Sequence, residues 1–190
     1  MTTAVHRRTP AARRTDDEAL RRQFDRDAIW DRLVKPGDRL PSATLLEADL
    51  GPIHLDRLRM TGPIVLVFFR YASSEPCNEI LASYQRDLVP ALAGGPAHLV
   101  AVSPQIPARL TEIKRRHDLG FFVASDVRHI LIDAFNLGFH EPGADVLLGA
   151  RRSILPFPAV VIADRTGTIR HVDVPHPAPA RIQAAVRTLP

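Results

Sequence analysis

The sequence predicts an α/β protein in which a central sheet carries helices on both faces. Three observations carry this. The run Ile64-Val65-Leu66-Val67-Phe68-Phe69 is apolar without alternation, as a central strand covered on both sides requires. Strand-like and helix-like segments alternate from there to the C-terminus. No internal repeat and no linker long enough to divide the chain interrupts that alternation.

Taken in order, residues 1–14, with Arg7, Arg8, Arg13 and Arg14, read as a disordered basic tail. Thr15-Asp16-Asp17-Glu18 fits a capping box, in which the threonine accepts from a free backbone amide and the glutamate reaches back. Leu20, Phe24, Ile29, Trp30 and Leu33 follow at helical spacing, so a helix is expected over 15–34. Its apolar face is expected to pack on the main domain or on a partner subunit, and Pro36-Gly37 ends it. Residues 35–190 are expected to form one domain. In it, 43–58 reads as a hairpin turning at Asp49–Pro52, ahead of the central strand at 64–69. A helix is expected near 76–93, a strand at 98–102 and a helix at 107–118. A short strand at 121–123 precedes a helix at 127–136, for which Asp126 is the expected N-cap. After Pro158, residues 159–163 form a strand, Asp164-Arg165-Thr166-Gly167 turns the chain, residues 168–172 return, and 178–188 closes as a helix.

Composition narrows the function classes. Hydrophobic residues at 45% and charged residues at 24% fit a soluble globular protein with a real core. The net charge of +4 rests almost entirely on arginine, since Lys35 and Lys114 are the only lysines. Those arginines are scattered and aromatics are sparse, which predicts a solvated basic surface and no nucleic-acid groove. Together with the abundant Ala and Pro, the arginine bias suggests a bacterial coding sequence rich in G and C. No stretch reaches the roughly 20 apolar residues of a membrane span. The N-terminus lacks the apolar core of a signal peptide, so a cytoplasmic location is expected. A single cysteine excludes an internal disulfide and a Cys-rich zinc site. The eight histidines show no zinc-binding spacing, so neither metal nor cofactor is expected.

Chemistry concentrates at that cysteine. In Phe68-Phe69-Arg70-Tyr71-Ala72-Ser73-Ser74-Glu75-Pro76-Cys77-Asn78-Glu79, Pro76 is suited to a first helical turn and Ser73 or Ser74 to the N-cap. Cys77 then lies where free amides and the positive helix end favour a thiolate. Arg70 leaves the preceding strand close by and can supply a cation. Ser74, three residues before Cys77, can turn its hydroxyl to the sulfur. The same spacing puts Cys77 on a face with Ile80, Leu81, Tyr84 and Leu88, which equally suits an inert core cysteine.

This segment resembles, without gaps, the active-site loop of peroxiredoxins of the alkyl hydroperoxide reductase and thiol-specific antioxidant type. Those proteins carry Pro-x-x-x-Thr-x-x-Cys after a strand ending in aromatics. Arg70 stands at the family's proline, Ser74 at its threonine and Cys77 at its peroxidatic cysteine. The loop is also similar to that of a bacterial peroxiredoxin-like branch, Phe-Tyr-Arg-Gly-Gly-Trp-Cys-Pro-Tyr-Cys-Asn, in which Arg70 and Asn78 match and Ser74 replaces the first cysteine. Ala101-Val102-Ser103-Pro104-Gln105, Ala124-Ser125-Asp126 and Leu155-Pro156-Phe157-Pro158-Ala159 extend the likeness over about residues 34–173.

The resemblance implies a thioredoxin-like fold, a central mixed sheet flanked by helices, with an N-terminal helix and hairpin as extension. In it Pro158 would be the cis-proline facing the active-site loop. It implies an antioxidant oxidoreductase, a thiol-dependent peroxidase in which Cys77 attacks a hydroperoxide with Ser74 and Arg70 as partners. The family's catalytic arginine falls at Pro158, leaving Arg70, Arg151 or Arg152 to take its role, and Ile80 replaces the family's glutamate. Without a second cysteine, an external thiol or thioredoxin-like reductant is required. A homodimer is expected. Two other functions fit the same residues: a monothiol exchange protein, and a catalytically inactive thioredoxin-fold binding module.

Overall fold

The structure, a computed structural model, describes Arg22, residues 24–26 and residues 28–189. It divides into two units, Met1–Leu33 and Val34–Pro190. The expected tail over 1–14, and the opening of the expected helix over 15–34, lie outside the described residues. In the first unit, α1 (Ile29–Arg32) follows Ala28, whose left-handed backbone (φ 47°) interrupts the single long helix the spacing suggested. The Trp30 indole donates to Asp25 (3.0 Å) and meets the Phe24 ring edge-on.

In the second unit, β1 (Thr44–Glu47) and β2 (Gly51–His54) form the expected hairpin. Residues 55–58 do not prolong it. Thr44 opposite His54 is the last pair, and beyond it the backbone satisfies its own groups as α2 (Leu55–Thr61). The apolar run forms β3 (Ile64–Phe68), buried at every position. Next come α3 (Glu75–Ser83), a π-helical turn at Tyr84–Leu88, and α4 (Val89–Leu92). Pro90 explains the widened turn, because it lacks an N–H and its ring crowds the carbonyl four residues back.

The chain continues through β4 (His98–Ser103), α5 (Pro107–Arg116), β5 (Phe122–Ser125) and α6 (Ile130–Ala134). It then runs through β6 (Gly138–His140), α7 (Ala144–Leu148) and β7 (Ile154–Pro156). Last are β8 (Ala159–Ala163), β9 (Ile169–Asp173) and α8 (Pro179–Arg187). The β6–β7 ribbon and α7 were not anticipated. α6 is shorter than the expected helix and starts after left-handed His129, which holds the N-cap position expected of Asp126, while the Asp126 carboxylate caps from three residues earlier by accepting from the amides of Ile130, Leu131 and Ile132.

Seven strands pair in the order β2-β1-β5-β4-β3-β8-β9, with β3–β4 and β4–β5 parallel and the others antiparallel. Alternate residues of a strand face opposite sides. Val65, Val67 and Phe69 therefore join Leu81, Tyr84, Leu110, Ile113 and Ile182 in one core layer. On the other face Phe68 meets Phe135 edge-on at 5.7 Å. β3 and β4 lie in the interior of the sheet, and the loop that follows β3 leads directly into the cysteine-bearing helix.

Candidate active site

The loop between β3 and α3 is held both by groups distant in sequence and by Asn78 of α3. Phe69 N–H donates to Val102 O (3.0 Å), and the Ser103 hydroxyl donates to Arg70 O (3.0 Å). Ala72 N–H donates to Gln105 Oε1 (2.6 Å), while the Gln105 amide reaches Leu147 O (2.9 Å). Asn78, buried in the first turn of α3, donates from Nδ2 to Ala72 O (2.9 Å) and Ser74 O (2.8 Å). Its Oδ1 faces His117 Nε2 at 2.7 Å. Burial first, and then Arg116, lowers the His117 pKa against the opposing pull of Glu75.

Cys77 is the third residue of α3, behind Pro76, as expected. It is 6% exposed and packs in the same core layer as Val67, Phe69, Ala72 and Leu81. Among the described residues no hydrogen bond reaches its Sγ. Ser74 occupies the N-cap with extended backbone, but caps through its carbonyl, which accepts the Asn78 N–H (3.0 Å), and not through its hydroxyl.

Arg70 leaves β3 with its guanidinium over the Phe139 ring of β6, 5.5 Å from the centroid. Its buried Nε has no hydrogen-bond partner, which leaves one donor unspent. Next to it, His176 is within 2.6 Å of Phe68 O and lies edge-on to the Tyr84 ring. Burial pushes the His176 pKa down to about 4, with Arg70 adding to the fall and the Phe68 carbonyl opposing it. The Tyr84 hydroxyl donates to Pro177 O (2.8 Å), and burial followed by Asp173 raises its pKa.

Of the other expected site residues, Pro158 directly precedes Ala159, which pairs with Phe68 at the end of β3, whereas Arg152 is engaged by a carboxylate. Arg152 makes a two-pronged ion pair with Asp133 (2.7 and 3.1 Å), and Arg151 is exposed. Pro158 is half-buried between β7 and β8, and its peptide bond is trans, contrary to the expected cis-proline; the cis bond is Val174–Pro175. Phe157 N–H bonds Leu137 O (2.8 Å), which ties the residue before Pro158 to the β6–β7 ribbon, and the chain bends at Pro158 as it enters β8.

A cleft of about 250 Å³ opens beside the loop, lined by Ala72, Ser73, Gln105, Arg109, Arg116 and Leu147. Among the described residues no group of three or more His, Cys, Asp or Glu is placed to hold a metal, and no helix is long and apolar enough to cross a membrane. Sequence reading missed Gln105 and His117 as parts of the loop's support, and His176 as a neighbour of Arg70. It met Asn78 only as a match in the resemblance. The usable signal was a short polar side chain directly after the cysteine, at a helix position that packs inward.

A mixed seven-stranded sheet, helices on both faces and a cysteine in the first turn after a central strand define a thioredoxin-like fold of the peroxiredoxin kind. The model of the AhpC/TSA family matches residues 36–172, and the chain belongs to that family, whose thiol-peroxidase function it shares. A search of curated proteins finds no match. Among solved structures, the chain is similar to the peroxidoxin BcpB of Mycobacterium tuberculosis, at 18% identity and a TM-score of 0.71, covering 83% of this chain and 99% of that one. It is similar also to the reduced Prx3 of Vibrio vulnificus in complex with hydrogen peroxide, at 19% identity and a TM-score of 0.68, covering 82% and 98%. A yeast mitochondrial 1-Cys peroxiredoxin, described with glutathione and thioredoxin resolving systems, aligns at 14% identity and a TM-score of 0.63, covering 82% and 76%.

Proposed function

We propose that this protein is a cytoplasmic, bacterial one-cysteine peroxidase in which Cys77 is the peroxidatic residue. The observation that carries the reading is the place of the sole cysteine, in the first turn of the helix that follows the central strand of a family-matched fold. The Cys77 thiolate attacks the terminal oxygen of a hydroperoxide. The O–O bond breaks, sulfenic acid forms, and the alkoxide or hydroxide leaves and takes up a proton. The unspent Nε–H of Arg70 and the Ser74 hydroxyl are the donors this reading assigns to the peroxide oxygens, where charge develops as the bond breaks. Arg152 stays in a structural pair with Asp133, and Pro158 serves as backbone support for the loop.

An external thiol then condenses with the sulfenic acid, releasing water and forming a mixed disulfide. A second thiol resolves that to free Cys77 and an external disulfide. The cleft beside Ala72 and Ser73 is the approach assigned to this reductant, and the protein acts as a homodimer. The pure protein is expected to consume hydrogen peroxide with dithiothreitol, glutathione or thioredoxin, and to form a dimedone-trapped sulfenic acid at Cys77. In Cys77→Ser, turnover should fall to the uncatalysed background. No peroxide consumption with any donor, together with no trapping, overturns the reading. One observation favours a second reading: the sulfur lies in an apolar layer, as an inert core cysteine of a binding module would. Unchanged cellular function in Cys77→Ser would select that alternative.

A further inference from the structure

We infer that Asn78, fixed by His117, is a positioning residue that keeps the Cys77 turn helical. Its catalytic consequence rests on the peroxidase reading above, whereas its geometry does not. A helix end leaves its first N–H groups unbonded and is where a helix frays. Here the usual remedy is missing, because the Ser74 side chain makes no cap hydrogen bond. Asn78 supplies the restraint from inside the turn. Both of its amide hydrogens go to loop carbonyls, those of Ala72 (2.9 Å) and Ser74 (2.8 Å).

With Nδ2 spent in this way, Oδ1 is left as acceptor only, so the proton in the 2.7 Å contact belongs to His117 Nε2. His117 is the C-cap of α5, and its own N–H is tied to Ile113 O (3.2 Å). The loop is thereby anchored to a second helix. On the opposite side Gln105 holds the Ala72 N–H (2.6 Å), so both backbone groups of Ala72 are clamped, one by Asn78 and one by Gln105. Asn78 is 5% exposed, so water does not readily replace these bonds if the side chain is lost. Without Asn78 the turn frays, and Cys77 leaves the position that the intact first turn of α3 gives it.

The test uses the full chain and the variants Asn78→Ala, His117→Phe and His117→Gln, the last of which keeps an N–H donor. Native-state hydrogen exchange over residues 72–80 is compared with exchange in β3, alongside the single-turnover rate of Cys77 with hydrogen peroxide. Asn78→Ala and His117→Phe are expected to speed exchange of 72–80 at least tenfold with β3 unchanged, and to slow the peroxide step by a similar factor. His117→Gln should return both toward the wild-type values. Exchange that stays unchanged, or that rises equally in β3, overturns the inference. If the wild type shows no peroxide step, the exchange comparison still decides the bracing, and the peroxidase reading alone fails. If Asn78→Ala does not fold, the two His117 variants carry the test.

Discussion

Arg70 and His176 show how one position can be read correctly for charge and still be placed by something else. The arginine supplies the expected cation, but its direction is set by the Phe139 face, which attracts a guanidinium through the ring quadrupole. The same cation, added to burial, holds His176 neutral with a pKa of about 4. In the unfolded chain this histidine titrates near its ordinary value of 6.5, so as pH falls the unfolded state takes up the proton first. The stability that the neutral ring confers is therefore complete above about pH 6.5 and is lost progressively down to about pH 4, by roughly 3 kcal/mol. Urea denaturation at pH 7 and pH 4.5 should show this loss in the wild type, and His176→Phe should flatten it. His117, also lowered, is neutral at pH 7 and can still donate from Nε2 to Asn78.

At the scale of elements, close backbone approaches matter as much as propensity. Gly62 ends α2 with extended backbone that any residue could adopt. Its constraint is space, since a Cβ there would lie 1.8 Å from the Pro96 carbonyl oxygen, just before β4. Gly62→Ala must push α2 away from that segment. It should cost about 2 kcal/mol, seen as a lower denaturation midpoint with an unchanged slope. Gly167 is different: its φ of +81° completes the turn between β8 and β9, where Asp164 accepts from the Thr166 and Thr168 amides. That turn was legible because its chemistry is local. The Asp126 cap was legible for the same reason. The change from β2 to α2 was not, because it depends on where β1 stops offering a partner.

Across the whole second unit, one buried ion pair ties the hairpin extension to the sheet. Glu47 of β1 is 2% exposed, and its carboxylate accepts from Lys114 Nζ (2.6 Å) and from the amides of Val123 (3.0 Å), Asp49 (2.7 Å) and Leu50 (2.9 Å). Burial by itself would raise the Glu47 pKa, but Lys114 and the three amides outweigh it, so the pKa is lowered. The folded value is thus below the unfolded one. The contribution is full above the ordinary carboxylate pKa of 4.5 and is lost as pH falls through the depressed value. Lys114→Met leaves the carboxylate buried without its cation and should cost about 3 kcal/mol, with hairpin amides exchanging faster than those of β3. Adding Glu47→Gln to that variant should recover part of the loss, as a double-mutant cycle would show.

What the sequence by itself determined is what short-range chemistry dictates. The apolar runs set the strands, the 3.6-residue spacing set the major helices, and Pro76 placed Cys77 in a first turn. Only the tertiary structure decided how that turn is held and what surrounds it. Ala72 meets Gln105 across 33 positions and Asn78 meets His117 across 39, and no local pattern encodes such pairs. The same holds for the β6–β7 ribbon, whose three-residue strands are too short to show a period and exist only because they pair with each other. Hydrogen-bond partners and side-chain directions are settled by which elements the sheet order brings together. The place of Cys77 was therefore readable from the chain, while the network that holds its loop emerged only from the fold.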